Sequence, residues 1–171
     1  MQPVILQKEK MLLAGFGFYG DPFQLNGEWT HENEIGRLWE RFSTWFNQNR
    51  SSLNIEMPRQ MYEVHIEHAE TALKGHFEIF VGFEIDAPED IPPELLIKVL
   101  PACTYARFTL TGKEITSDWS STFYREWLQD SNYEQAFKFG IQVYDERFKG
   151  MDNIDESTID LLIPVQLHQQ V

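Results

Sequence analysis

The stretch LQDSNYEQAFKFGIQVYDERF, Leu128–Phe148, decides how this chain is read. Its second half has the two-residue period of a strand, with Phe137, Phe139, Ile141 and Val143 on one face and Gln142, Tyr144 and Glu146 on the other, leaving a gap at Gly140. The first face is core. The second carries an amide, a phenol and a carboxylate in turn, and whether it meets water or a ligand is the functional question.

Working outward, the same kind of element recurs twice. KMLLAGFGFYG (Lys10–Gly20) is an apolar, glycine-punctuated strand. In ENEIGRLWERFSTWFNQN the residues Ile35, Leu38, Trp39, Phe42, Trp45 and Phe46 recur at helical spacing. RQMYEVHIEH (Arg59–His68) and HFEIFVGFEID (His76–Asp86) alternate as an antiparallel strand pair. The proline-rich APEDIPPE (Ala87–Glu94) then acts as a connector, after which the order repeats. ACTYARFTLTG (Ala102–Gly112) is a strand, EITSDWSSTFYREWLQD (Glu114–Asp130) a helix carrying Ile115, Trp119, Phe123 and Trp127, and FKFGIQVYDERF and STIDLLIPVQ the closing pair. The expectation is an α+β fold of tandem duplicated strand-helix-strand-strand units with antiparallel sheets. One domain of residues 1–171 would comprise repeat 1 (1–86) and repeat 2 (87–171), related by a pseudo-two-fold axis with a ligand groove between them. Charge divides evenly, seven basic against thirteen acidic residues in 1–86 and seven against fourteen in 87–171.

A formal net charge of −13 repels phosphate backbones and anionic membranes, which disfavours direct nucleic-acid binding. One cysteine, Cys103, permits no internal disulfide, the N-terminus lacks a signal-peptide apolar run, and no stretch nears the 18 apolar residues of a span. A cytoplasmic protein is the expectation. Aromatic residues make 14 % of the chain, enough to leave some for lining a cavity.

Two motif matches carry little. Gly15-Phe16-Gly17-Phe18-Tyr19-Gly20 has the letters of a dinucleotide fingerprint, but DPFQLNGEWTHEN follows where a helix must open at the glycines. His65 and His68 stand three apart on a strand and face opposite sides, so they do not readily share a metal ion. The residues of interest lie on the strand faces opposite the apolar ones: Glu78, Phe80, Gly82 and Glu84 in the first half, Gln142, Tyr144 and Glu146 in the second, with Gly82 and Gly140 in comparable places. Plain solvation of these faces is the competing reading, against which the aromatics Phe80 and Tyr144 weigh.

LLAGFGFYG, LPACTYARFTLTG, YREWLQDSNYE, VYDERF and IPVQ occur in that order along the chain. Together they resemble the GyrI-like, AraC-type effector-binding family. This is the ligand module at the C-terminal end of Rob-type and multidrug-sensing transcription activators, also met as stand-alone bacterial integron-cassette proteins. With no room for a DNA-binding helix pair before Met11, a module without a DNA-binding domain is expected. The resemblance implies a groove lined by aromatics and carboxylates that binds apolar, often cationic, small molecules. Tyr144, Phe80, Tyr105 and Trp127 would form its walls, Glu84, Glu146 or Glu78 its charge partner, and Gln142 a polar anchor.

One departure matters. Family members usually carry a glutamate two residues before the tyrosine of the Y-D-E-R strand, and here that position is Gln142. An amide hydrogen-bonds but takes no proton near neutrality, so binding survives the change better than catalysis does. The enzyme alternative, hydrolysis of strained or reactive small electrophiles, needs another glutamate to serve as base. A third reading is an acidic gyrase-interacting protein. No cofactor or metal is implied, and the ligand's identity and the oligomeric state stay open.

Overall fold

The computed structural model describes residues 1–24, 32–53, 55–89 and 91–168, without side chains for 121–123. Among these, nine strands form one open antiparallel sheet: β1 (Val4–Lys8), β2 (Met11–Gly20), β3 (Met61–Glu67), β4 (Phe77–Ile85), β5 (Leu96–Leu100), β6 (Cys103–Thr111), β7 (Tyr133–Gln135), β8 (Phe139–Tyr144) and β9 (Thr158–Leu167). Their order is β1-β6-β9-β8-β3-β4-β2-β5, with β7 alongside β9. This order reads the same way outward from the central β8–β3 pair. The edge strands are exchanged, β1 pairing with β6 of the second half and β5 with β2 of the first.

The helix α1 (Glu34–Asn49) forms where the periodicity predicts it. The Asn33 side chain caps it by accepting the Gly36 N–H at 2.9 Å, and Leu38, Phe42 and Phe46, four apart, are its buried stripe. That stripe, with Trp39 beside it, packs on Ile79, Val81 and Phe83 of β4. The second half differs from expectation. Instead of a helix over Glu114–Asp130 there is a single 3₁₀ turn at Gly112–Glu114, a π-helical stretch at Ser120–Arg125 and a short α3 (Glu126–Gln129). The Glu114 carboxylate accepts from the Thr111 N–H and hydroxyl and caps the first turn, so Ile115, fully buried, belongs to a turn and not to a helix face. Trp119 and Trp127 pack on the second half, and the Phe123 side chain lies outside the described residues. A short helix α2 (Thr71–Lys74) lies between β3 and β4.

Register sorts the sheet into two faces. Val64 stands opposite Phe80 and Ile141, and Ile141 opposite Leu162, giving an apolar row across four central strands. Phe80, Val64 and Ile141 are each fully buried with Leu13 and Tyr105 in one cluster. The neighbouring row, Val81–Glu63–Gln142–Leu161, faces the helices. The even residues of β4 and of β8 thus point to opposite faces, against the expectation that Phe80 and Gln142 line one surface. The strand also ends at Tyr144, short of Glu146. Arg147 grips Asp145 through paired contacts of 2.8–3.0 Å and reaches Asp160 at 2.8 Å, which turns the chain, and it holds the Asp145 carboxyl below its usual range. Among the described residues no helix is long and apolar enough to cross a membrane.

Gly82 and Gly140 are not equivalent openings. Gly82 lies on β4 opposite Gly15, and a Cβ there would stand 2.2 Å from the Ala14 carbonyl oxygen; Gly140 lies on β8, where a Cβ would meet only the Ile163 Cδ1 at 3.1 Å. The first absence lets two backbones touch. Gly82→Ala is expected to cost about 3 kcal/mol in denaturant unfolding and Gly140→Ala under about 1 kcal/mol. Equal losses would show that the close approach at Gly15–Gly82 is not what requires glycine.

Candidate functional site

The helix-side face carries one acidic group at its centre, and sequence reasoning passed it over. Glu63, on β3, is 2 % exposed and directly opposite Gln142 of β8, itself 4 % exposed. A buried carboxylate needs donors on its oxygens. Here they arrive from three elements: the Trp39 indole Nε1–H from α1, the His65 Nε2 at 2.5 Å from the same strand face, and the Gln142 Nε2 at 3.3 Å from β8. The Tyr144 hydroxyl lies 3.5 Å from Glu63 but 2.9 Å from the Gln142 Oε1. Its single proton goes to the closer acceptor, which makes Gln142 a bridge that accepts from the phenol and donates to the carboxylate.

Aromatic rings roof this pair. Trp39 meets Tyr144 edge to face at 5.1 Å, and Tyr144 meets Phe148 at 4.9 Å. Trp39 belongs to the apolar cluster under α1, whereas Tyr144 and Phe148 belong to the one under the second helical segment. The Glu63–Gln142 pair therefore sits at the seam between the two halves, closed over by rings that are only half-buried. Desolvation pushes the Tyr144 phenol well above its ordinary value, and the Glu63 charge adds to the shift.

Of the residues singled out from sequence, the structure brings together Gln142 and Tyr144. Phe80 and Tyr105 are fully buried in the cluster on the opposite face. Glu84, also on that face, accepts the Tyr62 hydroxyl at 3.0 Å. Glu78 pairs with Lys98 and with the His68 Nε2 at 3.1 Å, away from the seam. Glu146 is exposed in the turn after β8, where its carbonyl accepts from Lys149. Trp127 stacks on Tyr133 and meets Phe108 edge-on, as packing beneath its own half. The alternation of Met61–Glu67 places Glu63 and His65 on one face; what was missing is that this strand lies mid-sheet with both faces covered. A cleft of about 590 Å³ at the start of β6, lined by Ile5, Cys103, Tyr133, Phe137 and Leu167, opens apart from this centre. Among the described residues no group of three or more His, Cys, Asp or Glu is placed to hold a metal ion.

The family model of integron-associated effector-binding proteins, Cass2, matches residues 4–165. The transcriptional regulator BrlR of Pseudomonas aeruginosa is 27 % identical over 167 residues, covering 96 % of this chain. The chain spans 56 % of that protein's length. Among solved structures, SAV2435 bound to tetraphenylphosphonium matches with a TM-score of 0.68 at 15 % identity, over 97 % of this chain and 94 % of that one. The integron cassette protein VCH_CASS2 of Vibrio cholerae matches with a TM-score of 0.59 at 16 % identity, over 96 % of each chain. These likenesses show the fold.

Gln142→Glu tests the polar pair directly. A second carboxylate opposite Glu63 forces one of the two to hold a proton, raising the folded-state pKa of the pair above its unfolded value. Stability relative to the parent is therefore lost as pH rises. A deficit of about 2 kcal/mol is expected in urea unfolding at pH 7, shrinking toward zero near pH 4. A deficit that does not change with pH would mean that positions 63 and 142 are not electrostatically coupled.

Proposed function

Because this chain belongs to the integron-associated effector-binding family, we propose that it binds lipophilic cations at the seam, with Glu63 as the counter-charge and Trp39, Tyr144 and Phe148 as the aromatic walls. The observation that carries this reading is a buried carboxylate served mainly by neutral donors. Among the described residues its one ion-pair partner is His65, and no lysine or arginine reaches it. A cation that enters the seam supplies the charge those donors lack. Its own loss of hydration, several kcal/mol for a compact ion, is smaller when the charge is delocalised over aryl groups, and each aromatic face returns about 0.5–2 kcal/mol. The tetraphenylphosphonium held by SAV2435 is a ligand of this chemical class. On this reading residues 1–86 and 87–171 act as two repeats of a single domain, each giving one side of the site. A regulatory role like that of BrlR rests only on the 56 % of that protein's length that this chain spans.

A second reading is favoured by one contact. Glu63 stands beside Tyr144 on the facing strand, and it is a candidate for the other glutamate that the enzyme alternative needs as base. Three other donors already crowd its oxygens, which places binding ahead of catalysis. Styrene oxide turnover that is abolished by Glu63→Gln would establish the enzyme.

Titration of tryptophan fluorescence with methyltriphenylphosphonium and with neutral triphenylphosphine oxide tests the leading reading. Glu63→Gln keeps shape and removes charge. It should weaken the phosphonium at least about tenfold, roughly 1.4 kcal/mol, and the oxide by less than about twofold. Parallel losses for the two compounds would remove Glu63 as the counter-charge.

A further inference from the structure

The Glu63 oxygen that accepts from Gln142 lies also 2.5 Å from the His65 Nε2, and the two side chains differ sharply in access to water. The His65 side chain is 26 % exposed and that of Glu63 is 3 %. An imidazole changes charge between about pH 5 and 8, and this one reaches solvent while its partner stays enclosed. Resting on the site reading above, we infer that His65 sets the charge selectivity of the seam. Neutral His65 leaves a net negative charge that recruits a monocation, and protonated His65 completes an internal ion pair that excludes cations and leaves the seam to neutral apolar compounds.

Among the described residues no lysine or arginine competes with the imidazole at the carboxylate. Across the flanking strands its register neighbours are Ile79 and Gly140, neither of which titrates. From its own strand Glu63 and, two residues on, Glu67 share its face. Lys138 stands opposite Glu67, whose backbone N–H bonds to the Lys138 carbonyl, and Tyr124 of the second helical segment feels the Glu67 charge. Tyr144 and Trp39 close the far side around Glu63. Carboxylates, lysines and phenols ordinarily keep their charge state between about pH 5.5 and 8. His68 is turned away toward Glu78.

The His65 imidazolium and the ligand cation then compete for one carboxylate, so cation affinity falls as pH falls. In the wild-type protein, affinity for methyltriphenylphosphonium should drop at least about tenfold between pH 8 and pH 5.5, while affinity for triphenylphosphine oxide stays level or rises. His65→Gln keeps an N–H donor for Glu63 and cannot take the proton, so its phosphonium profile should vary less than about twofold over that range. Calorimetry of the unsubstituted protein at pH 6.5, in two buffers of unlike ionisation enthalpy, should record protons released on phosphonium binding and none on oxide binding. A flat wild-type profile, an undiminished slope in His65→Gln, or a phosphonium titration without proton release each overturns the role of His65. Failure of Glu63→Gln to weaken the phosphonium at pH 8, or absence of binding by either probe, overturns instead the site on which that role rests.

Discussion

A carboxylate enclosed at the middle of a sheet must be met by hydrogen-bond donors, and the centre of this molecule is arranged around that requirement. The donors to Glu63 come from α1, from β3 itself and from β8, with Tyr144 one hydrogen bond further out. Each depends on a different feature of the fold: Trp39 on the seating of α1, His65 on strand parity, Gln142 on the β3–β8 register. A one-residue slip between the central strands would turn the amide away and leave the acid short of a partner, a loss of about 1–3 kcal/mol. Register, helix placement and the polar centre therefore specify one another.

The same constraint accounts for the amide where the family resemblance implies an acid. Side chains directly opposite on antiparallel strands lie about 4.5–5.5 Å apart at Cβ, too close for two carboxylates to remain charged together in a site closed to water. With Glu63 on β3, an amide at 142 is the compatible neighbour, able to accept from Tyr144 and donate to Glu63 at once. The carboxylate stands one strand over, on β3, with an imidazole of the same strand 2.5 Å away.

Much of the architecture was legible because its signals are long. α1 announces itself by six apolar residues at helical spacing, and β4 by five alternating ones. The edge strands β1 and β5 were not read, since VILQK and LIKVL are apolar runs too short to tell strand from anything else. The helix of the second half was overextended because Ile115 falls at helical spacing by virtue of a capped turn. Strand parity groups Gln142 with Tyr144, as the structure does, but gives no sign of the Glu63 that faces them. Parity says which residues share a face, but Glu63 and His65 look like the solvated side of a strand until the sheet order puts β3 in the middle and helices over it. Phe80 and Tyr105 failed for the matching reason: a strand buried on both faces has no wet side for an aromatic to mark.

The exchanged edge strands bear on how such a site could ever admit a ligand. β1 leaves the first half to pair with β6, and β5 leaves the second to pair with β2, so each half is laced into the other at both margins of one continuous sheet. Two lobes joined in this manner cannot swing apart about a hinge without breaking backbone pairing at the centre and both edges together. On the proposed site, a ligand would then enter by displacing side chains and helices above a sheet that stays paired. The sheet would serve as an anvil, with selectivity set by what can be lifted from the face above it.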